Sequence, residues 1–322
     1  MSLPAILQGQ LSIPVVGAPM FIVSGPQLVI EQCKAGIVGS FPALNARPQE
    51  LLDDWLAEIT ETLDNERAAN PEAPIAPFAV NQICHASNDR LVADMMSCVK
   101  HKVPIIITSL RPPKEVVDAA HSYGGVVFHD VINLRHARKA ISEGVDGIIA
   151  VCAGAGGHAG TLSPFALVKE IRKEFDGTVL LSGAMTTGQD VLAAQAIGAD
   201  LAYIGSRFIA TAEANADPAY KQMLVDSVAS DIVYSSLFTG VLGNYLKPSI
   251  EKAGMDPDNL PEADKSTMNF GSGGSSKSKA WRDIWGAGQG VGTIDTVLPV
   301  GELVGEMIEE YEAVRKRLTA HG

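Results

Sequence analysis

Apolar residues in this chain come in short runs separated by amphipathic stretches. Runs rich in Val, Ile, Leu and Ala occupy 15–20, 36–41, 78–83, 104–110, 126–131, 147–153, 179–184 and 201–206. They are largely continuous rather than alternating, the pattern of strands buried on both faces. Between them, segments 26–35, 48–67, 88–100, 113–122, 133–143, 164–175 and 188–197 space their apolar residues at helical intervals. Several carry start signals: Pro48, Pro113 and Pro164 stand in first turns, and Ser87–Asn88 precedes Asp89. Eight strand–helix units require parallel strands with right-handed crossovers, and at this length they predict a (β/α)8 TIM barrel. A doubly wound open sheet is the other arrangement the same count allows.

After Arg207 the rhythm stops. Residues 213–280 hold polar helical stretches at 220–229 and 248–253, the Pro- and Asp-rich segment MDPDNLPEAD, and the low-complexity run GSGGSSKSK at 271–279. They predict a small helical insertion after the eighth strand, with the serine–glycine run as a mobile lid edge, a hinge or a plain linker. A long amphipathic stretch, 301–318, then supplies the last outer helix. The expected organisation is a barrel from 1–212 and 281–322, interrupted by the insertion at 213–280.

Composition narrows the function. A net charge of −12 argues against a duplex nucleic acid or an anionic membrane as partner, since either needs a basic face. No run of 18 apolar residues occurs and the N-terminus MSLPAILQGQ lacks a basic start before a long apolar core, so a cytoplasmic, unexported protein is expected. Cys33, Cys84, Cys98 and Cys152 are scattered without a CxxC pair, which argues against disulfides and a structural zinc site. Cys152, inside the glycine-rich stretch, reads as an inert buried strand-end thiol rather than a reactive one.

The stretch 147–160, GIIAVCAGAGGHAG, organises the rest. A buried strand breaks into a turn where Gly154, Gly156 and Gly157 supply positive φ and leave the backbone free to approach a ligand around His158. A histidine there is either a catalytic base or electrophile, with an ordinary value of about 6.5, or a solvated loop residue. In such barrels the site lies at the C-terminal strand ends, with phosphate after strands seven and eight. Ser182–Gly183–Ala184 and Gly205–Ser206–Arg207 end those two strands with small, amide-rich turns, the first beside a helix that begins near Gly188. Pro19–Met20, Asn81–Gln82, Ser109 and His129–Asp130 end four others, an arrangement suited to a planar aromatic cofactor. His129 is the rival to His158, unless Asp130 simply holds it. His85, His101, His121, His136 and His321 fall on helices, loops or the tail, where most are expected to be solvated.

GAPM at 17–20, the Asn81 strand end, GAGGHAG at 154–160, SGAMTTG at 182–188, GSRFIAT at 205–211 and WGAGQGVG at 285–292 together resemble the FMN-dependent nitronate monooxygenases, also called 2-nitropropane dioxygenases. The resemblance spans nearly the whole barrel. It implies oxidation of alkyl nitronates or nitroalkanes by O2 to carbonyl compounds and nitrite, with His158 as base or substrate-polarising group. It further implies that Met20 and Asn81 contact the flavin ring, that the backbone of Gly183, Ala184, Gly205 and Ser206 binds the FMN phosphate, and that Ala18, Pro19 and Ser182 also belong to the cofactor site. The resemblance also implies that Gln289 reaches the flavin from the C-terminal segment. A small-molecule substrate, no metal, and a homodimer are the accompanying expectations. Gly154 stands where many bacterial members have glutamate, Ala159 for arginine, Ala184 for the second glycine of SGG and Ser206 for threonine. The changes beside His158 bear on the substrate. Two other activities stay open: an FMN-dependent NAD(P)H:quinone or enoyl reductase on the same scaffold, and a flavin-free barrel acting on a phosphorylated metabolite.

Overall fold

The computed structural model describes residues 3–111, 114–262 and 284–320. The serine–glycine run at 271–279, the barrel's expected re-entry at 281 and His321 lie outside them. Eight parallel strands form one sheet: β1 (Val15–Gly17), β2 (Gly39–Pro42), β3 (Phe78–Cys84), β4 (Ile105–Leu110), β5 (Val126–Val131), β6 (Gly147–Val151), β8 (Thr178–Ser182) and β9 (Leu201–Ile204). The two-residue strand β7 (Gly157–His158) lies outside this sheet. β1 pairs with β9, and Val38 closes the ring on the other side: its N–H donates to Val15 O at 3.1 Å and its carbonyl accepts from Gly17 N at 2.8 Å. The sheet is therefore a TIM barrel and not an open doubly wound sheet.

Helices α1 (Pro26–Lys34), α2 (Leu51–Ala69), α3 (Leu91–Lys100), α4 (Lys114–His121), α5 (Leu134–Ser142), α6 (Pro164–Arg172) and α7 (Gly188–Ala196) alternate with the strands. Their buried faces pack on the outward strand residues, for example Leu52, Leu56, Ile59 and Leu63 of α2. The inward residues alternate with these, so Ala79, Ile105, Ile107, Phe128, Ile149, Leu180 and Leu201 fill the barrel axis. Leu7, 1% exposed, joins them from a short N-terminal turn. The inward parity continues upward through Asn81, Ser109, Asp130, Ser182 and Tyr203, where polar groups replace the aliphatic ones. The chemistry thus begins where the hydrophobic filling ends. Among the described residues no helix is long and apolar enough to cross a membrane.

After β9 the chain leaves the barrel through α8 (Ser206–Ile209), α9 (Pro218–Asp226) and α10 (Lys247–Lys252). α9 and α10 overlap the two helical stretches expected at 220–229 and 248–253, whereas the short α8 precedes the expected insertion and is not foretold. The segment also contains an antiparallel ribbon, β10 (Ile232–Ser235) with β11 (Gly243–Leu246), which the periodicity does not foretell. Its outer edge pairs with β7, so that Gly243 faces His158 and Asn244 faces Gly157. The expected turn at His158 is therefore partly a strand.

The last helix, α11 (Val300–Thr319), packs on α7 with almost no gap. A Cβ at Gly188 would lie 1.8 Å from Met307 O, and the Gly188 N–H donates to the Glu310 carboxylate at 2.6 Å. Gly188→Ala should therefore push α11 off its seat and destabilise the protein by about 3 kcal/mol. Thermal unfolding should show a midpoint lowered by several degrees; an unchanged midpoint would contradict this packing.

Candidate active site

The barrel mouth opens into one cavity of about 1000 Å³, at the top of the range for ligand pockets. Three sequence-predicted groups border it together: Ala18, Pro19 and Met20 from the β1 loop, Asn81 from β3, and His158 from β7. The turns after β8 and β9 complete it with Ser182, Gly183 and Ala184, and with Gly205 and Ser206. Gln289 does not join them. It is exposed, with its Oε1 3.0 Å from where a Cβ on Gly154 would stand, while Trp285, Gly286, Gly288 and Gly290 of its segment line the cavity.

Each group is held by contacts from elsewhere. Asn45 clamps the loop after β1: its Oδ1 accepts from Ile22 N at 3.0 Å, and its Nδ2 donates to Met20 O at 3.0 Å and Ser24 O at 2.8 Å. This fixes Met20 and forces Ile22 to a φ of 68°, an unusual conformation for a β-branched residue. Leu110, another cavity-lining residue, has a φ of 76°. Strained backbone clustered around a cavity is a mark of function.

The glycine turn is only partly as expected. Gly154 (φ 83°) and Gly157 (φ 65°) are left-handed, whereas Gly156 is glycine for want of room: a Cβ there would lie 2.9 Å from Gly288 N. Gly288 is equally constrained, since its Cβ would sit 2.6 Å from Gly154 O. The segment after Trp285 is lashed onto this turn by Gln289 N donating to Gly154 O and Gly288 N donating to Ser206 Oγ, both at 2.8 Å. Tyr220 stacks on Trp285, with ring centroids 4.9 Å apart, and donates to Gly286 O. Three distant parts of the chain therefore meet at one turn.

His158 is fixed twice. Its backbone pairs with Gly243, and its Nε2 lies 2.9 Å from Thr239 Oγ1. Thr239 Oγ1 also lies 3.0 Å from Val241 O, an acceptor that can take the hydroxyl proton; in that arrangement the oxygen accepts from His158 Nε2–H and the ring's lone pair falls on Nδ1. Burial drives the imidazole down to about 4, which keeps it neutral near neutral pH, with a lone pair available but of reduced basicity. Tyr234 OH donates to Ala159 O at 2.6 Å and Asn244 Nδ2 to Ala155 O at 2.7 Å, tying the ribbon down on either side of the histidine.

His129 does not compete. It lies on the outward parity of β5, is 1% exposed, and is held through Nδ1 by Thr108 Oγ1 at 2.8 Å, not by Asp130. Asp130 has the opposite parity and borders the cavity. Ser109 Oγ donates to its Oδ2 at 2.6 Å, and Asn81 Nδ2 donates to Ser109 Oγ at 2.8 Å and Ile107 O at 3.3 Å. With both its N–H bonds spent, Asn81 offers only its carbonyl oxygen as an acceptor.

At the strand-eight end, Ala184 stands at a φ of 54° and its N–H reaches Gly154 O at 3.3 Å. The start of α7 is self-capped: the Asp190 carboxylate accepts from Thr186 N at 2.9 Å and Thr187 N at 3.0 Å. The small turn, not the helix end, faces the cavity. At the next turn a Cβ on Gly205 would project to 3.5 Å from Ala18 Cβ and 3.8 Å from Met20 Sδ, so glycine leaves space beside those residues. The Arg207 guanidinium is spent on Ala210 O and Thr296 O. Among the solvated histidines expected, His136 lines the cavity instead, and His101 is bonded to Asp53 at 2.9 Å. Cys152 is buried with its thiol pushed up to about 12, an inert group.

The nitronate monooxygenase family model matches residues 9–310 of the chain. A nitronate monooxygenase of Paraburkholderia phytofirmans is 27% identical over 93% of this chain and 92% of its own. A Mycobacterium tuberculosis relative is 30% identical over 66% of this chain, which spans 60% of that protein's length. In architecture, nitroalkane oxidase from Streptomyces ansochromogenes superposes with a TM-score of 0.79 over 98% of this chain and the whole of that one, at 23% identity.

The tautomer and charge of His158 can be read directly by nitrogen-15 NMR of the imidazole. At pH 7 and still at pH 5.5 the ring should be neutral with its proton on Nε2, because burial disfavours the cation. Thr239→Val should scramble the tautomer and Thr239→Ser should keep it; a charged ring at pH 5.5 would contradict the assignment.

Proposed function

The chain belongs to the nitronate monooxygenase family, and on that footing we propose that it binds FMN in the barrel-mouth cavity and oxidises alkyl nitronates with O2 to carbonyl compounds and nitrite. Nitroalkanes would enter the same reaction after loss of the acidic α-proton. The observation that carries this reading is a neutral, doubly anchored His158 on the same cavity as the β1 loop, Asn81 and the two amide turns.

The residues present fit the cofactor. Gly183, Gly205 and Ser206 offer backbone amides where a phosphate needs donors, and Gly205 leaves unfilled the space that a Cβ would take beside Ala18 and Met20. Asn81 presents a lone acceptor to a ring edge carrying an N–H. FMN, when bound, supplies the electron-accepting and oxygen-reactive centre.

The rest of the work falls to the chain. The apolar walls around Met20, Val151 and Phe238 exclude water from the reacting atoms. His158 receives the substrate's acidic hydrogen, its ring being oriented by Thr239 at Nε2. A neutral base suits this task, since a cationic imidazole has no lone pair to receive the proton. For a preformed nitronate the same ring needs only to orient the anion.

His158→Asn separates these two duties. Turnover of a neutral nitroalkane should fall by about 10²–10⁴-fold, while turnover of the preformed nitronate should fall far less. Steady-state oxygen consumption with each substrate form measures both, and equal activity of variant and wild type on the two forms would remove His158 from the reaction.

A further inference from the structure

Asp130 has no assigned part in the account above, yet its position is unusual. It is a carboxylate at the level where the barrel's apolar filling gives way to the cavity, and it lines that cavity. One oxygen accepts from Ser109. The other, Oδ1, is buried without a hydrogen-bond partner. A buried, half-satisfied carboxylate is costly, so the sequence would be expected to replace it with an amide or an aliphatic residue unless the charge has a use.

Among the described residues no cation is hydrogen-bonded or ion-paired to Asp130; Arg111 and Glu115, beyond the end of β4, act with it on Cys84 with opposite signs. Tyr203 from β9 and Cys84 from β3 are the titratable groups that feel its charge, and both are pushed up and uncharged at neutral pH. His136 from α5 and His158 from β7 share the cavity, each shifted down by burial and therefore neutral. Asp217 and Glu262 line it from the insertion, which adds negative rather than positive charge, and Arg47 stands at its rim, engaged with the Phe21 ring and Leu44 O. Burial lifts the Asp130 carboxyl to about 6.

We propose that Asp130 is the proton-accepting group of this cavity, taking up one proton from solvent when negative charge arrives there and releasing it when that charge leaves. The proposal rests on the FMN reading given above. Two electrons and one proton added to a flavin leave it one charge more negative; the second proton then binds Asp130, and the cavity's net charge is unchanged. An ionised Asp130 facing that new charge would oppose reduction, because like charges at short range in a poorly solvated site repel strongly. The Asn81–Ser109–Asp130 chain gives the proton's arrival a structural reading. Ser109 donates to the carboxylate, and protonation of either oxygen weakens that acceptor and loosens the bond that orients Asn81.

The test is the midpoint potential of the FMN-loaded protein between pH 5 and 8, titrated with dithionite against reference dyes. In the wild type the potential should fall with pH above 6 about twice as steeply as in Asp130→Asn, since two protons rather than one accompany two electrons; below pH 6 the two lines should converge. Ser109→Ala keeps the carboxyl and should keep the steep line. Parallel lines for wild type and Asp130→Asn overturn the proposal, as does a shallow line in Ser109→Ala, which would assign the effect to packing. Should Asp130→Asn fail to hold FMN, wild-type protein alone decides: reduction at pH 7 should take up two protons, and reduction-induced infrared difference spectra should gain a protonated-carboxyl C=O band. One proton and no such band overturn it. A wild-type chain that binds no FMN overturns the FMN reading itself, a result distinct from any of these.

Discussion

The architecture of this site depends on backbone meeting backbone at the turn 154–158. Gly156 and Gly288 approach so closely that neither tolerates a Cβ, and β7 adds Gly157 and His158 to the edge of the β10–β11 ribbon. Glycine is usually a source of conformational freedom, and here it is a condition of contact. The consequence is that a histidine on a loop is held as firmly as one on a strand. Its ring is then oriented by a hydroxyl 81 residues away, on the segment that follows the ribbon's first strand.

The electrostatics of the cavity follow from the same burial. Removing water makes His158 neutral and lifts Asp130, so the two groups shift in opposite senses of charge but toward the same uncharged form. A cavity with a neutral base, an acceptor amide and a half-satisfied acid is suited to anions that arrive with, or can recruit, a proton. The net charge of −12 gives no long-range help in collecting such anions, which leaves recognition to local groups.

Much of the fold is legible in the sequence because parallel barrel strands are buried on both faces and therefore read as unbroken apolar runs. All eight are where those runs stand, and the turn residues Gly183, Gly205 and Ser206 fall at the cavity by position alone. The ribbon is not legible. IVYS and GNYL are short, mixed in polarity and paired with a strand of only two residues, so no periodicity marks them. Asn45 and Thr239 are invisible for another reason: each acts on a partner remote in sequence, and nothing local distinguishes them from ordinary turn residues. The inward parity of Tyr203 and Asp130, by contrast, could have been counted from their strands. Gln289 differs from its neighbours Gly288 and Gly290, which line the cavity: it is exposed, with its Oε1 close against Gly154.

The most direct test of the central claim is the visible absorption spectrum of the purified protein, followed under anaerobic conditions after adding ethylnitronate to one sample and NADH to another. The account predicts a yellow protein whose flavin bands bleach with ethylnitronate and persist with NADH. A colourless protein, or a flavin bleached by NADH and untouched by the nitronate, would contradict it.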